Sequence, residues 1–354
     1  MSLPPKEIPL GAMRFNSDSQ KLEYFNGDVW MQIHTFSPNL GGNGGPAGNP
    51  TGNSADQVAG ARGIISGGNS PGGSPYAKTD TIQYITIATA GNAVDFGNLI
   101  AAKGYTAACA SNTRGIISGG SPSAVDTIQY VTISSTGDAI DSANLTNGRS
   151  SHAAFSNQTR GIVASGGQDP GNLATIDYVT ISSLADAQDF GDLSGSRDYP
   201  GGYASPTRGI TAGGQTPTKI NIIEYITIAT TGNAQDFGDL TVARRFLQGV
   251  GNSTRAIFGS GATPSSVNVI DYITMATKGN ATNFGDDIKI RLEGSAACSS
   301  PIRGTWSGGY TSPAGFNDIS YITIATEGDA VDFGDLLAAV SSSSGCSNGH
   351  GGLG

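Results

Sequence analysis

The sequence predicts an all-β protein whose main part is a six-bladed β-propeller of four-stranded antiparallel blades. The first observation is a Tyr-Ile-Thr-Ile phrase or close variant that recurs at Tyr84, Tyr130, Tyr178, Tyr225, Tyr272 and Tyr321, in steps of 46, 48, 47, 47 and 49 residues. The second is that each copy contains four strand-like segments. The third is that the Tyr-containing segment is apolar on both faces. Four-stranded units of about 50 residues with two buried faces are typical of propeller blades.

The third copy of the repeat shows the predicted strands most clearly, over residues 150–156, 160–165, 175–182 and 186–193. The third segment is rich in Ile, Tyr, Val and Thr, which suit a pleated surface. The fourth ends in Asp-Phe-Gly-Asp-Leu. The second strand opens with Arg-Gly-Ile or a near variant at Arg62, Arg114, Arg160, Arg208, Arg255 and Arg303.

The ends of the repeat region predict how the ring closes. Five residues before the second-strand Arg, later copies carry a bulky or sulfur-bearing residue, at Cys109, Phe155, Tyr203, Val250 and Cys298. The first copy has Gln57 there and lacks a first strand of its own. Residues 340–348 repeat the first-strand pattern, with Cys346 near the core position. We therefore predict that this C-terminal strand completes the first blade beside residues 61–99 and covers open edges.

Residues 1–35 contain no copy of the repeat. They predict a small β-meander with strands over 13–15, 21–25 and 29–33, in which Asn26-Gly27 provides a strong hairpin signal. Residues 36–60 are rich in Gly, Asn and Pro and predict a linker. The predicted organisation is thus an attachment module (1–35), a linker (36–60) and a propeller (61–354).

Composition excludes several classes of protein. Charged residues make up 13% and the net charge is −9, which argues against a nucleic-acid-binding surface. The three cysteines are too few and too distant for a disulfide framework or a zinc site, so we expect them in the core. No apolar run is long enough to span a membrane, and the N-terminus lacks a signal-peptide pattern. These features predict a soluble protein made in a cytoplasm.

No motif predicts a catalytic, cofactor or metal site. Asp189-Phe190-Gly191 has the metal-binding triplet of protein kinases without their catalytic loop or strand lysine. His152 and His350 are expected to approach each other where the ring closes, but further ligands are lacking.

The recurrent aspartates suggest two further possibilities. Asp189 and its equivalents are candidates for ion pairs with the repeat Arg, which would fix one blade against the next. Calcium binding by Asp189 and Asp192 stays an open alternative to solvated turn carboxylates.

Loop variability predicts the contact face. Loops that join second to third strands, and fourth strands to the next blade, emerge on one side of a propeller and differ among these copies. Exposed aromatic and Arg residues on such loops commonly anchor recognition. Arg197 belongs to this loop set, and the candidate contact residues are Tyr76, Tyr199, Arg245, Phe246, Tyr310 and Phe316.

The repeat resembles the kelch repeat over residues 61–354. The likeness lies in Arg149 before the first strand, the Gly166-Gly167 doublet after the second, Tyr178 on the third, and Phe190 with Leu193 where the kelch family usually has Trp and Leu. The Tyr-Ile-Thr-Ile-Ala-Thr phrase is not typical of that family, so the units are kelch-like.

Two segments resemble bacteriophage proteins. Residues 9–30, from Pro-Leu-Gly-Ala-Met-Arg-Phe to Trp30, resemble a module of fibre and tail proteins of tailed phages, and the repeat resembles structural proteins of marine phages. The resemblance implies a non-enzymatic virion component, a tail fibre or capsid decoration, made in the host cytoplasm. Residues 1–35 would attach to other virion proteins, with Phe15, Tyr24 and Trp30 as candidate attachment residues, and the propeller would contact a host-surface receptor or glycan.

Three other functions stay open at this point. A lectin-like carbohydrate-binding propeller would show shallow aromatic-floored pockets repeated around the ring. A propeller enzyme would show one blade whose loops gather His or acidic residues. A pure assembly scaffold would bind only virion proteins, and homo-oligomer formation is compatible with each reading.

Overall fold

The computed structural model describes residues 12–16, 21–25, 28, 30–33, 61–70, 77–168, 170–263, 267–291 and 293–353. The chain divides into two compact units, Met1–Thr51 and Gly52–Gly354.

The smaller unit contains an antiparallel three-stranded sheet in the order β1 (Met13–Asn16), β2 (Lys21–Phe25) and β3 (Trp30–Ile33). These are the three strands that the sequence predicts. The half-buried Trp30 lies 5.5 Å from the Phe25 ring and 4.2 Å from the Arg14 guanidinium carbon. The side chains of Phe15 and Tyr24 and the Asn26-Gly27 turn lie outside the described residues, so the attachment role of this unit stays a prediction.

The larger unit contains the remaining strands. In chain order these are β4 (Arg62–Ser66), β5 (Asn69–Ser70), β6 (Ala77–Lys78), β7 (Thr81–Thr86), β8 (Val94–Asn98), β9 (Ala107–Ala110), β10 (Arg114–Ser118), β11 (Val125–Thr132), β12 (Ile140–Arg149), β13 (Ala153–Ser156), β14 (Arg160–Gly167), β15 (Asn172–Thr180), β16 (Gln188–Asp192), β17 (Gly201–Ala204), β18 (Arg208–Ala212), β19 (Gln215–Thr216), β20 (Thr218–Lys219), β21 (Ile222–Thr227), β22 (Gln235–Asp239), β23 (Gln248–Gly251), β24 (Arg255–Gly259), β25 (Val269–Thr274), β26 (Thr282–Asp286), β27 (Ala296–Ser299), β28 (Arg303–Ser307), β29 (Tyr310–Thr311), β30 (Ala314–Gly315), β31 (Asp318–Thr323), β32 (Val331–Asp335) and β33 (Ser344–Ser347). A 3-10 helix, Gly351–Leu353, follows β33.

These strands form a six-bladed β-propeller. From the axis outwards, the blades are β33-β4-β7-β8 (blade 1), β9-β10-β11-β12 (blade 2), β13-β14-β15-β16 (blade 3), β17-β18-β21-β22 (blade 4), β23-β24-β25-β26 (blade 5) and β27-β28-β31-β32 (blade 6). Short hairpins β5-β6, β19-β20 and β29-β30 extend the loops between second and third strands.

The C-terminal strand closes the ring as the sequence predicts. Strand β33 pairs antiparallel with β4, so that Ser344 lies opposite Ser66 and Cys346 opposite Ile64. The Oδ1 atom of Asn348 also accepts a hydrogen bond of 2.8 Å from the Arg62 amide. Blade 1 therefore joins the two ends of the repeat region without a covalent link, and the strand edge of β4 is covered.

The hydrophobic core lies between neighbouring blades. One cluster packs Ile65 and Ile85 of blade 1 against Cys298, Ile319 and Phe333 of blade 6, and five similar clusters join the other pairs of blades. Each third strand thus buries apolar side chains on both of its faces, which confirms the pattern read from the sequence.

The repeat Arg of every second strand reaches into the next blade. Arg160 Nη1 donates hydrogen bonds of 2.8 and 3.0 Å to the carbonyls of Ile228 and Ala229, and its guanidinium carbon lies 4.7 Å from the centre of the Tyr178 ring. The same contacts recur for Arg62, Arg114, Arg208, Arg255 and Arg303.

The predicted ion pairs between this Arg and Asp189 or its equivalents are therefore wrong. The guanidinium uses backbone carbonyls, which are present in every blade whatever its side chains. Asp189 is exposed and forms no ion pair among the described residues.

The recurrent Asn or Asp after each third strand forms a second clamp between blades. Asn233 Oδ1 accepts a 3.0 Å hydrogen bond from the Asp192 amide, and the Ala234 amide donates to the Asp192 carbonyl at 2.8 Å. The equivalent side chains that accept from the preceding blade are Asn92, Asp138, Asp186, Asn280 and Asp329. The repeated residues of the unit are thus committed to holding adjacent blades together.

Candidate binding site at the axial mouth

The innermost strands line an axial cavity of about 50 Å³. Its lining includes Cys109, Cys298 and Cys346, all free and buried. Burial raises the pKa of the Cys109 and Cys298 thiols to about 12, so both stay protonated and behave as apolar groups. The expectation that the cysteines pack in the core is confirmed.

The C-terminal segment closes one end of this cavity. His350 Nε2 lies 2.8 Å from the Ala110 carbonyl, and the Gly351 amide donates to the Tyr203 hydroxyl at 2.8 Å. Burial lowers the pKa of His350 to about 4. The predicted approach of His152 to His350 is wrong, because the two histidines lie at opposite ends of strand β13.

The other end of the axis carries a ring of residues that each precede a first strand. We call Tyr105, Ser151, Tyr199, Phe246, Gly294 and Ser342 the mouth ring. Five backbone hydrogen bonds of 2.7–2.9 Å link them, each from an amide to the carbonyl of the equivalent residue in the preceding blade. All except Gly294 have φ between 54° and 63°, a left-handed conformation that costs non-glycine residues about 1–2 kcal/mol. These five hydrogen bonds between neighbouring blades hold the conformation.

Aromatic side chains of the mouth ring cluster together. The rings of Tyr199 and Phe246 have centroids 4.0 Å apart, and those of Tyr105 and Tyr199 are 6.0 Å apart. The Arg245 guanidinium carbon lies 5.4 Å from the Tyr199 centroid and 4.9 Å from that of Phe246. Tyr199 and Arg245 are half-exposed, whereas Phe246 is only 8% exposed. The expectation of an exposed Phe246 is therefore wrong, because Tyr199 and Arg245 cover it.

Four charged side chains surround these rings. Arg245 Nη1 donates to Gln215 Oε1 at 2.9 Å, and Lys78 Nζ donates to Asn69 Oδ1 at 3.0 Å. Burial raises the pKa of Asp198 and Glu293, and the charge of Arg245 opposes both shifts. Burial also lowers the pKa of Lys78. We call Lys78, Tyr105, Asp198, Tyr199, Arg245, Phe246 and Glu293 the mouth cluster.

A small cavity of about 30 Å³ lies at the mouth ring. His152 and Ser343, which are 6% and 4% exposed, contribute to its lining together with Tyr105 and Tyr199. His152 Nε2 lies 3.0 Å from Ser118 Oγ, whereas His152 Nδ1 and Ser343 Oγ have no hydrogen-bond partner. Burial, with a smaller effect of Arg149, lowers the pKa of His152 to about 3, so the imidazole is neutral.

The remaining candidate contact residues lie in different surroundings. Tyr310, on β29, is half-exposed, and its carbonyl accepts the Glu293 amide at 3.2 Å, next to the mouth cluster. Phe316 is half-exposed below Lys289, whose Nζ lies 5.6 Å from the ring centre. Tyr76 lies outside the described residues. The structure thus brings Tyr199, Arg245 and Phe246 together, with Tyr310 at their border.

Arg197 is not a surface residue, contrary to expectation. Its side chain is 1% exposed and pairs with buried Glu224. Related buried pairs join Arg149 to Asp177, Arg244 to Asp271, and Arg291 to Asp287 and Asp318. Each of blades 3 to 6 therefore contains a buried ion pair below the mouth ring. Arg149, which belongs to the kelch-like pattern, forms the pair in blade 3.

Sequence reasoning missed Lys78, Tyr105, Asp198 and Glu293, and it expected His152 near His350 instead of at the mouth. A signal for Tyr105 exists, because Tyr105 and Tyr199 both lie two residues before a first strand. Glu293 and His152 carry no such signal, since the residue types at their equivalent positions vary among the blades.

Two further findings concern metal ions and membranes. Within the described ranges, no three His, Cys, Asp or Glu side chains form a group suited to a metal ion, so the calcium alternative gains no support. Among the residues with an assigned placement, no helix is both long and apolar enough to cross a membrane.

No protein-family model matches the chain. A search of curated proteins finds no significant match.

Proposed function

We propose that this chain is a non-enzymatic structural protein of a tailed-bacteriophage virion, a tail fibre or capsid decoration, whose propeller contacts the host surface through the mouth cluster. The observation that supports this proposal is the division of labour within the propeller. The repeated Arg and Asn residues are engaged in clamps between blades, whereas Tyr105, Tyr199 and Arg245 break the repeat and gather at one end of the axis.

The smaller unit supplies the second part of the proposal. Its three-stranded sheet, with Trp30 against Arg14 and Phe25, corresponds to the segment that resembles phage fibre and tail modules. A sheet of three short strands buries little surface by itself and gains stability from a partner. We assign this unit to attachment on other virion proteins.

A specific observation favours one alternative, a carbohydrate-binding propeller. The mouth cluster combines aromatic rings with desolvated carboxylates, which suits recognition of polar ligands. The aromatic cluster occurs once, on the axis, so it differs from the repeated pockets expected of a lectin-like ring. We therefore propose that the propeller contacts the host surface by binding a glycan.

The proposal is tested on purified virions. Mass spectrometry should detect the chain, and gold-labelled antibodies against it should mark the tail or the capsid surface in electron micrographs. Full-length protein added before infection should compete with virions and reduce their adsorption to host cells. Absence of the chain from purified particles would overturn the virion assignment, and adsorption unaffected by saturating protein would overturn host contact.

A further inference from the structure

Unsatisfied hydrogen-bonding atoms lie in the mouth cluster and in the lining of the small cavity at the mouth ring. Asp198 Oδ1, Glu293 Oε2, Arg245 Nε and His152 Nδ1 are buried and have no hydrogen-bond partner among the described residues. Two of these atoms only accept, Arg245 Nε only donates, and neutral His152 can do either. Because buried polar atoms in folded proteins are generally satisfied, these four indicate a polar group that both donates and accepts.

The formal charges of the mouth cluster cancel. Lys78 and Arg245 carry two positive charges, and Asp198 and Glu293 carry two negative ones. These four side chains form no direct ion pair in the part of the chain that the structure describes. A charged ligand would add one uncompensated charge to this partly desolvated cluster, whereas a neutral polar ligand would keep the charges balanced.

The aromatic rings add an apolar surface with a defined size. The half-exposed rings of Tyr105 and Tyr199 meet at 64° with centroids 6.0 Å apart. Rigid aromatic side chains with a polar tip provide contact area at little entropic cost. Arg245 covers Tyr199 and Phe246, and it is the side chain that must move to admit a ligand.

We propose that the mouth cluster binds one neutral pyranose unit of a surface glycan. This inference rests on the proposed function, because it names the chemistry of the surface contacted. A pyranose has an apolar face for Tyr105 and Tyr199 and hydroxyl groups that donate as well as accept. The 30 Å³ cavity has room for a small polar group, such as a sugar hydroxyl, beside His152 and Ser343.

Saturation-transfer NMR on the full-length protein tests the ligand class. Methyl glycosides of glucose, galactose and mannose are compared with glucuronic acid and N-acetylneuraminic acid, each at millimolar concentration. We expect stronger transfer to at least one neutral glycoside than to either acid. Transfer to acids alone, or to no saccharide of the panel, would overturn the inference.

Two aromatic substitutions locate the site. Tyr199→Ala should weaken binding of the neutral glycoside by about tenfold or more, because the ring supplies a central contact surface. Phe316→Ala is the matched control, since Phe316 is a half-exposed aromatic residue that packs against Lys289. Equal affinities of Tyr199→Ala and the unsubstituted chain, at equal melting temperatures, would place the sugar elsewhere.

A charge substitution tests the argument from neutrality. Glu293→Gln retains size and one acceptor oxygen but leaves the mouth cluster with a formal charge of +1. The affinity for glucuronic acid should then rise by about tenfold relative to that for the neutral glycoside. If both affinities change by the same factor, charge balance does not select the ligand and the inference fails.

Larger probes identify which surface polysaccharide supplies the sugar. Lipopolysaccharide with and without its O-chain, and purified capsular polysaccharide, are tested for competition with the neutral glycoside. The expected result is that at least one probe competes, which identifies the O-chain, the core sugars or the capsule as the source. Competition by none of them would contradict recognition of a surface glycan. These measurements use purified protein, so their failure is distinguishable from absence of the chain in virions.

Discussion

On one face of the propeller all six blades carry the same clamps, whereas on the other face the mouth ring holds Tyr, Ser, Tyr, Phe, Gly and Ser in succession. The clamps use backbone groups as partners, as in the bonds from Arg160 to the carbonyls of Ile228 and Ala229. The mouth ring also uses backbone hydrogen bonds between blades, from Tyr199 to Ser151 for example. Because the mouth ring is held by main-chain bonds, its side chains are free to differ.

The difference shows how a repeat protein gains one specific site. A residue that is present in every copy is required by the contacts between copies, and cannot specify a single ligand. Side chains that break the repeat and meet on the axis, such as Tyr105, Tyr199 and Glu293, come from separate blades and act together. Substitutions on the uniform face should therefore change stability, and substitutions at the mouth should change binding.

The largest expected effect concerns the layer below the mouth ring. In blade 5, Arg244 and Asp271 are both fully buried and 2.7 Å apart. Asp271→Gln leaves a buried guanidinium without its counter-charge and should lower the free energy of unfolding by about 3–5 kcal/mol. Urea denaturation measures this change.

Blade 1 supplies the control for this substitution, since it has Val340 and Gln83 at the equivalent positions. Gln83 Oε1 accepts a 2.9 Å hydrogen bond from the Leu337 amide without any Arg. The double variant Arg244→Val/Asp271→Gln copies that arrangement and should be more stable than Asp271→Gln alone. A double variant less stable than the single one would show that the ion pair is not the source of the loss.

The fold could be predicted from the sequence because its signal repeats. Six copies fix the strand order, and the match of residues 340–348 to other first strands, with Cys346 at the core position, reveals the closure. The first strand of the third copy begins at Ala153 and not at residue 150, because Ser151 is left-handed and interrupts the extended chain. A single left-handed residue that is not glycine has no sequence signature.

The site could be predicted only in part. Arg245 and Phe246 are adjacent in sequence, and Tyr199 occupies the position of Phe246 one repeat earlier, so loop variability drew attention to all three. Lys78 and Glu293 join them from blades 1 and 6, and no local pattern predicts that meeting. The burial of Arg197 was missed because its partner, Glu224, lies on the third strand of the blade, where the repeat has Gln, Asp or Ser in other copies.

A pH experiment separates the mouth from the rest of the protein. Burial lowers the pKa of His152 to about 3 in the folded state, below its ordinary value of about 6.5. The unfolded chain therefore binds more protons, and stability falls as the pH drops from about 6.5 towards 3. The largest slope from this group is about 1.4 kcal/mol per pH unit.

His152→Ser isolates that contribution, because Ser295 and Ser343 occupy the equivalent position in blades 6 and 1. Thermal unfolding between pH 7 and 4.5 should show a smaller loss of stability for the variant. Asp198 and Glu293, whose pKa is raised, act with the opposite sign but are present in both proteins. Parallel curves for the two proteins would show that His152 titrates normally in the fold.

A glycine substitution probes the uniform face. A Cβ on Gly238 would lie 2.4 Å from the Gly279 carbonyl oxygen of the next blade, whereas a Cβ on Gly232 would meet no atom within 4 Å. Their φ values, 152° and 150°, are nearly equal. Gly238→Ala should therefore cost about 1–3 kcal/mol more than Gly232→Ala, through the forced separation of two blades. Equal losses in chemical denaturation would assign the whole effect to φ.

The smallest expected effect tests whether the clamp needs a particular side chain or only its oxygen. Asn233→Ala removes the acceptor of the Asp192 amide and should lower the free energy of unfolding by about 0.5–1.5 kcal/mol. Asn233→Asp retains an oxygen, as Asp138 and Asp329 do in other blades, and should be nearly neutral. Neither variant should alter glycoside binding at the mouth. A loss of binding in Asn233→Ala, with its melting temperature unchanged, would show that the two faces are coupled and would end the simple division between them.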